Sequence, residues 1–227
     1  SEAYDLLAIL SLDEQSLETT LTSLLSTSAE QDLRLNPGKY LAVMISNSEY
    51  EEWDDLKSPL NDTTLIGGLL KQKYGFEVRY VVDQSRRSIL KSLYDAANDL
   101  AFADHLLVYY AGHGVVDDAT GNAYWIPSEA PRDFRPDWIS GDEILDALKL
   151  VASKHVVLIA DSCYSGRLLR SGLPAEENPN QQVIERLFSK RARVALTSGG
   201  DEPVVDSVGS QENSVFALAL SEALKAA

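Results

Sequence analysis

Four short apolar runs constrain this chain more than any other feature. Residues 40–45 (YLAVMI), 76–82 (FEVRYVV), 105–111 (HLLVYYA) and 155–160 (HVVLIA) recur with a helical pattern in each interval. A near-continuous apolar run such as YLAVMI has no polar face to show water, so it reads as a strand buried on both sides. The intervening stripes have helical period. Leu65, Ile66, Leu69 and Leu70 follow Asn61 or Asp62 as a helix cap, and Ile89, Leu93, Ala97 and Leu100 form the next helix. Ser140 and Glu143 form a capping box ahead of Ile144, Leu145, Leu148 and Val151. A fifth strand is expected over 193–197, and a last helix, capped by Asn213, carries Phe216, Ala217, Leu220 and Leu224. Strands and helices in alternation predict an α/β fold, a mostly parallel sheet with helices on both faces.

Residues 1–38 read as a separate segment. Seven acidic residues and one base, Arg34, precede the Asn36-Pro37-Gly38 turn. Leu6, Leu7 and Leu10 share a helix side, and Ser11 with Glu14 fits a second helix carrying Leu17, Leu21, Leu24 and Leu25. The expectation is a short helical hairpin, a prosegment or linker, ahead of a main domain over 39–227. The first residues are Ser1-Glu2, so a flanking regulatory domain outside this stretch is also expected.

Charge and cysteine count exclude several classes. Thirty-five acidic against 20 basic residues give a net charge of −15, which disfavours nucleic acid and favours a cationic partner. No apolar run reaches the 18 or so residues of a membrane span, so no membrane association is expected. The single cysteine, Cys163, rules out an internal disulfide and leaves no Cys/His cluster for zinc. A reducing cytoplasm is the expected compartment.

In open α/β sheets, ligands bind beyond the carboxyl ends of the strands. The third strand runs into Ala111-Gly112-His113-Gly114, and the fourth into Asp161-Ser162-Cys163-Tyr164-Ser165-Gly166. If those strands are neighbours, His113 and Cys163 meet at one edge. A thiolate that attacks and an imidazole that carries the proton are the pair needed for acyl transfer. The N–H groups of Gly114 and Cys163 could form an oxyanion hole. A lone cysteine is more often a small buried hydrophobe, but a Ser/Gly-rich turn after a core strand lowers that reading. His105 and His155 lie at strand starts, on the opposite edge, and are assigned structural roles. No phosphate-binding glycine motif follows any strand, which disfavours a nucleotide-binding enzyme.

The motifs YYAGHG (109–114) and DSCYSG (161–166) resemble the catalytic signatures of caspase-like cysteine peptidases. The resemblance is closest to the metacaspase, paracaspase and bacterial caspase-homologue branch. It extends from YLAVMISNSEY and LKSPLNDTTLIGGLL to ALTSGGDEPVVD and NSVFALALSEAL, about 39–226. Ser46 departs from the glycine, and Tyr164 from the histidine, that many relatives carry there.

The resemblance implies a cysteine endopeptidase with His113 and Cys163 as its dyad, cleaving after Arg and less well after Lys. Its substrates would be proteins or peptides with basic residues. Asp161 and Asp62 match pocket carboxylates of that branch, and Asp201 or Glu202 could supply a third. A guanidinium entering a dry pocket needs such fixed acceptors, although Asp62 also fits a helix cap. A catalytically silent interaction module is the alternative, disfavoured by the intact pair. Some metacaspases require calcium, and Glu49, Glu51, Glu52, Asp54 and Asp55 crowd one loop. Their spacing matches no EF-hand, so a solvated surface, with no metal or cofactor, is expected. The stretch 165–181 is long for a loop and offers Arg167 and Arg170 for self-cleavage, and Arg34 is a second candidate.

Overall fold

The structure, a computed structural model, describes residues 38–117, 119–153, 155–162, 192–198 and 212–226, together with the backbone of 6–9. Its centre is a parallel sheet of six strands in the order β1-β9-β8-β4-β2-β3. These are β1 (Leu6–Ile9), β2 (Tyr40–Ser46), β3 (Glu77–Val82), β4 (His105–Ala111), β8 (His155–Asp161) and β9 (Ala192–Thr197). Four helices are described: α1 (Pro59–Tyr74), α2 (Arg86–Asp99), α3 (Gly141–Lys149) and α4 (Val215–Ala226).

The apolar runs sort by parity, as strand side chains must. Leu41, Val43, Ile45, Leu106, Val108 and Tyr110 pack on one face with Ile89, Leu93 and Ala96 of α2 and Ile144 and Leu148 of α3. Ala42, Met44, Leu107, Tyr109 and Ile159 pack on the other with Ile66 and Leu70 of α1 and Leu220 and Leu224 of α4. Both faces of β2 and β4 are therefore core, which explains their unbroken hydrophobicity. Among the described residues, no helix is long and apolar enough to cross a membrane.

Helix starts differ in detail from expectation. Helix α1 begins at Pro59, before Asn61 and Asp62, with Ser58 as the residue preceding the helix. Proline presets the helical φ and has no N–H to leave unpaired, so it fixes the start there. Helix α4 is capped by Ser214 rather than Asn213: the Ser214 hydroxyl accepts the Ala217 N–H at 2.9 Å. The Ser140–Glu143 capping box forms as expected on α3.

Two larger features were not anticipated. The helical assignment of Leu6 and Leu7 is corrected: Leu6–Ile9 forms β1 and pairs in parallel with β9, Leu6 opposite Arg193. Four consecutive apolar residues carry no decisive period, and the backbone groups along the outer edge of β9 require partners. The rest of the expected hairpin, with Arg34, lies outside the described residues. The second feature is a small antiparallel sheet of β5 (Gly114–Val116), β6 (Ala123–Trp125) and β7 (Ile139–Ser140). It grows directly out of the His113 turn.

Candidate active site

The sheet order places the site. From β2 the chain moves outward to β3, then returns across β2 to β4, so strand order reverses between β2 and β4. The carboxyl ends of these strands flank the crevice where such sheets bind ligands. Strands β4 and β8 are hydrogen-bonded neighbours, with Ala111 in register with Asp161. His113 lies two residues past Ala111, and Cys163 two residues past Asp161 in the chain. Cys163 itself is outside the described residues, as are Asp201, Glu202, Arg167 and Arg170.

His113 is held on every side. Its N–H donates to the Tyr50 hydroxyl at 2.9 Å, and its carbonyl accepts from the Tyr110 hydroxyl at 2.8 Å. Its ring lies 4.7 Å from that of Tyr50 and 5.7 Å from that of Trp53. Nε2 is 2.8 Å from the Asp54 carbonyl oxygen. A carbonyl can only accept, so Nε2 carries the hydrogen and the neutral ring keeps its lone pair on Nδ1. Gly112 is required beside it, since a Cβ there would sit 2.8 Å from both the Tyr110 and the Tyr50 hydroxyl oxygens.

Gly114 follows in β5. The Ile126 N–H donates to the His113 carbonyl at 3.2 Å, and Gly114 is registered with Trp125. In an antiparallel ladder that bond brackets Gly114–Trp125 as a non-hydrogen-bonded pair, so the Gly114 N–H points away from β6.

The structure brings Asp62 and Asp161 together through one residue. Ser214 donates its N–H to Asp62 Oδ1 at 3.0 Å and its hydroxyl to Asp161 Oδ2 at 2.6 Å. Asn213 adds a 2.8 Å bond to Asp62 Oδ1, and the Tyr109 hydroxyl a 3.2 Å bond to Asp161 Oδ2. Asp62 is 0% and Asp161 7% exposed. Burial pushes the Asp62 carboxyl up to about 6, the Asn213 and Ser214 hydrogen bonds oppose it, and the Asp161 charge adds to it. The same burial, with the Asp161 and Asp62 charges, holds the Tyr109 phenol well above its ordinary value, so it stays a donor.

The acidic loop before α1 is partly spent on internal contacts. Arg132 binds the Glu52 carbonyl and the Asp54 carboxylate, and the Asp55 carboxylate accepts the Tyr50 N–H. Trp125 is buried and stacked on Tyr110, whereas Trp53 stands against His113. Ser214, Asn213, Tyr109 and the Asp54 carbonyl are the site groups that residue patterns did not single out. The adjacent pair Asn213-Ser214 at a helix start was the one available signal.

Comparison with known proteins bears on the family and the fold. Residues 39–227 match the caspase domain family, Peptidase_C14. The human mucosa-associated lymphoid tissue lymphoma translocation protein 1 is 29% identical over 126 residues, 54% of this chain and 15% of that protein. Its mouse homologue is likewise 29% identical over 126 residues, 54% of this chain and 14% of that protein. The chain thus spans only about a seventh of the length of either relative. The crystal structure of protein GSU0716 from Geobacter sulfurreducens superposes with a TM-score of 0.59 at 16% identity, covering 83% of this chain and 82% of that one. That likeness concerns the fold. With the family matched over 39–227, the chain belongs to the caspase domain family.

Proposed function

We propose that this domain is a cysteine endopeptidase cleaving after Arg, and less well after Lys, with Cys163 as nucleophile and His113 as proton carrier. The observation that carries the reading is the registered pair Ala111–Asp161, from which His113 and Cys163 are each two residues removed. The thiol gives its proton to Nδ1 of His113 and its sulfur attacks the scissile carbonyl. The N–H groups of Gly114 and Cys163 receive the oxyanion. Collapse transfers the proton to the leaving amine and leaves an acyl-enzyme. Water then attacks with His113 as base and releases the acid and the free thiol. The Asp54 carbonyl supports each protonated stage, because imidazolium needs an acceptor at both nitrogens.

For specificity, Asp62 and Asp161 would receive the guanidinium, with Asp201 or Glu202 as further acceptors. Both described carboxylates are covered, so the guanidinium would take over hydrogen-bonding positions now held by Asn213 and Ser214. Self-cleavage after Arg170, Arg167 or Arg34, a cytoplasmic setting and a flanking regulatory domain belong to the same proposal. Profiling a positional peptide library tests it: cleavage after Arg is expected, and a preference for Asp at that position would overturn the acidic pocket. Intact-mass measurement of wild type and Cys163→Ala after incubation tests self-cleavage, with fragments ending at Arg170 expected in the wild type alone.

A further inference from the structure

We infer that Arg132 is a positioning residue for the His113 imidazole, acting through the backbone of the β2–α1 loop. The inference rests on the proposed Cys163–His113 chemistry and adds to it a residue remote in sequence. His113 depends on a main-chain oxygen, that of Asp54, and the Asp54 side chain is 95% exposed. Its neighbours close the loop on itself, with the Tyr50 N–H on the Asp55 carboxylate and the Leu56 N–H on the Ser48 carbonyl. Arg132, beyond β6, adds a restraint from outside the loop that reaches Asp54 itself.

Arg132 grips three consecutive residues of the loop. Its Nε donates to the Glu52 carbonyl at 2.6 Å, and Nη2 reaches Asp54 Oδ1 at 3.4 Å. Between them its guanidinium lies 4.9 Å over the Trp53 ring. Its own N–H donates to Glu52 Oε2 at 3.2 Å. Trp53 is fixed further by its Nε1 bond of 2.9 Å to the Ala130 carbonyl. The residues so held include the one that binds His113 Nε2 and one that lies against the His113 ring.

The loop has a second anchor at its beginning. Asp83 Oδ1 accepts the N–H groups of Ser48 at 2.6 Å and Glu49 at 3.0 Å. Asp83 does this from φ 48, a left-handed conformation costly for a residue with a Cβ. With the start held by Asp83 and the crest by Arg132, the Asp54 carbonyl has little freedom. A planar fork that binds a carbonyl and stacks on an indole is a task a lysine cannot fully perform.

A merely structural role makes a different prediction. Arg132 is 52% exposed and its carboxylate partner 95%, so the ion pair contributes little to stability. Misplacing a catalytic group by 1 Å can cost about 10²-fold in rate. Arg132→Ala should therefore lower kcat on an Arg peptide about tenfold, with KM and melting temperature nearly unchanged. Arg132→Lys should recover part of that loss. Wild-type kcat in Arg132→Ala overturns the inference, as does a loss that appears only in KM. Labelling of wild-type Cys163 by an arginyl chloromethylketone separates the two levels. If the wild type is labelled and Arg132→Ala equals it in kcat, positioning fails alone. If the wild type neither reacts nor turns over, the peptidase reading fails and the inference falls with it.

Discussion

Strands β4 and β8 each begin with a histidine and end at the site, and their two edges use similar residues in opposite ways. At the amino edge His105 and His155 are registered partners, with their Nδ1 atoms 3.0 Å apart. One must donate and the other accept, so one hydrogen lies between the two Nδ1 atoms. Tyr40 stacks on His105 at 4.2 Å, and Asp104 accepts the N–H groups of Lys39 and Ala101, both at 2.7 Å. The two imidazoles are committed to each other. At the carboxyl edge His113 has Nε2 committed and Nδ1 available to a reacting group. Residue type does not separate these histidines; their place along a parallel strand and the partner of each ring nitrogen do.

The largest effects should come from the carboxyl edge. Cys163→Ala should abolish hydrolysis of Arg peptides, and His113→Ala should lower it about 10²–10⁴-fold, the range of general acid–base catalysis. Turnover is read on purified variants with matched melting temperatures. Near wild-type activity in either would erase the distinction between the two edges.

Asp161→Ala removes a charged partner and should cost over tenfold in kcat/KM for an Arg peptide, from about 1.5–3 kcal/mol of lost charge-assisted bonding. A citrulline peptide of the same sequence should be affected far less. Equal losses on both would show that Asp161 supports structure rather than charge recognition.

Asp62 sharpens the contrast through pH. Its carboxyl is raised from the ordinary 3.8 to about 6. A raised acid stabilises the fold fully below the unfolded value, and that contribution is lost as pH rises through about 6. Asp62→Asn should thus gain stability relative to wild type between pH 4 and 8, by about 3 kcal/mol, in denaturant titrations at each pH. In the wild type, preference for Arg over citrulline should grow as pH rises through the same window. A flat preference would remove Asp62 from the pocket.

The smallest effect belongs to the amino edge. His105→Phe should cost about 1–2 kcal/mol by breaking a buried hydrogen bond, with kcat unchanged. A loss of kcat without loss of stability would mean that the two edges communicate.

The sequence made the centre of this molecule legible for a physical reason. Strands β2, β4 and β8 are covered on both faces, so their apolar runs are nearly unbroken, and the turns after β4 and β8 stand out as Gly- and Ser-rich breaks. His113 could be found in such a break by its residue type, whereas Asp161 and Asp62, the latter in α1, were singled out through the family resemblance. The Asp54 carbonyl could not be, since every residue has one and only tertiary placement distinguishes it. Strands β5 to β7 are of three, three and two residues, too short for a period to register. For Leu6–Ile9 the pattern was ambiguous, and the open edge of β9 decided it. Asn213 and Ser214 are both good helix caps, and the choice between them depends on Asp62, some 150 residues earlier.

The central claim is that His113 activates Cys163 beside an acidic pocket. Reaction with an arginyl chloromethylketone, followed by peptide mass spectrometry, tests it most directly. One adduct is expected, on Cys163, formed more slowly in His113→Ala and in Asp161→Ala and protected by an Arg peptide. No adduct on Cys163, or equal labelling by an aspartyl reagent, would contradict it.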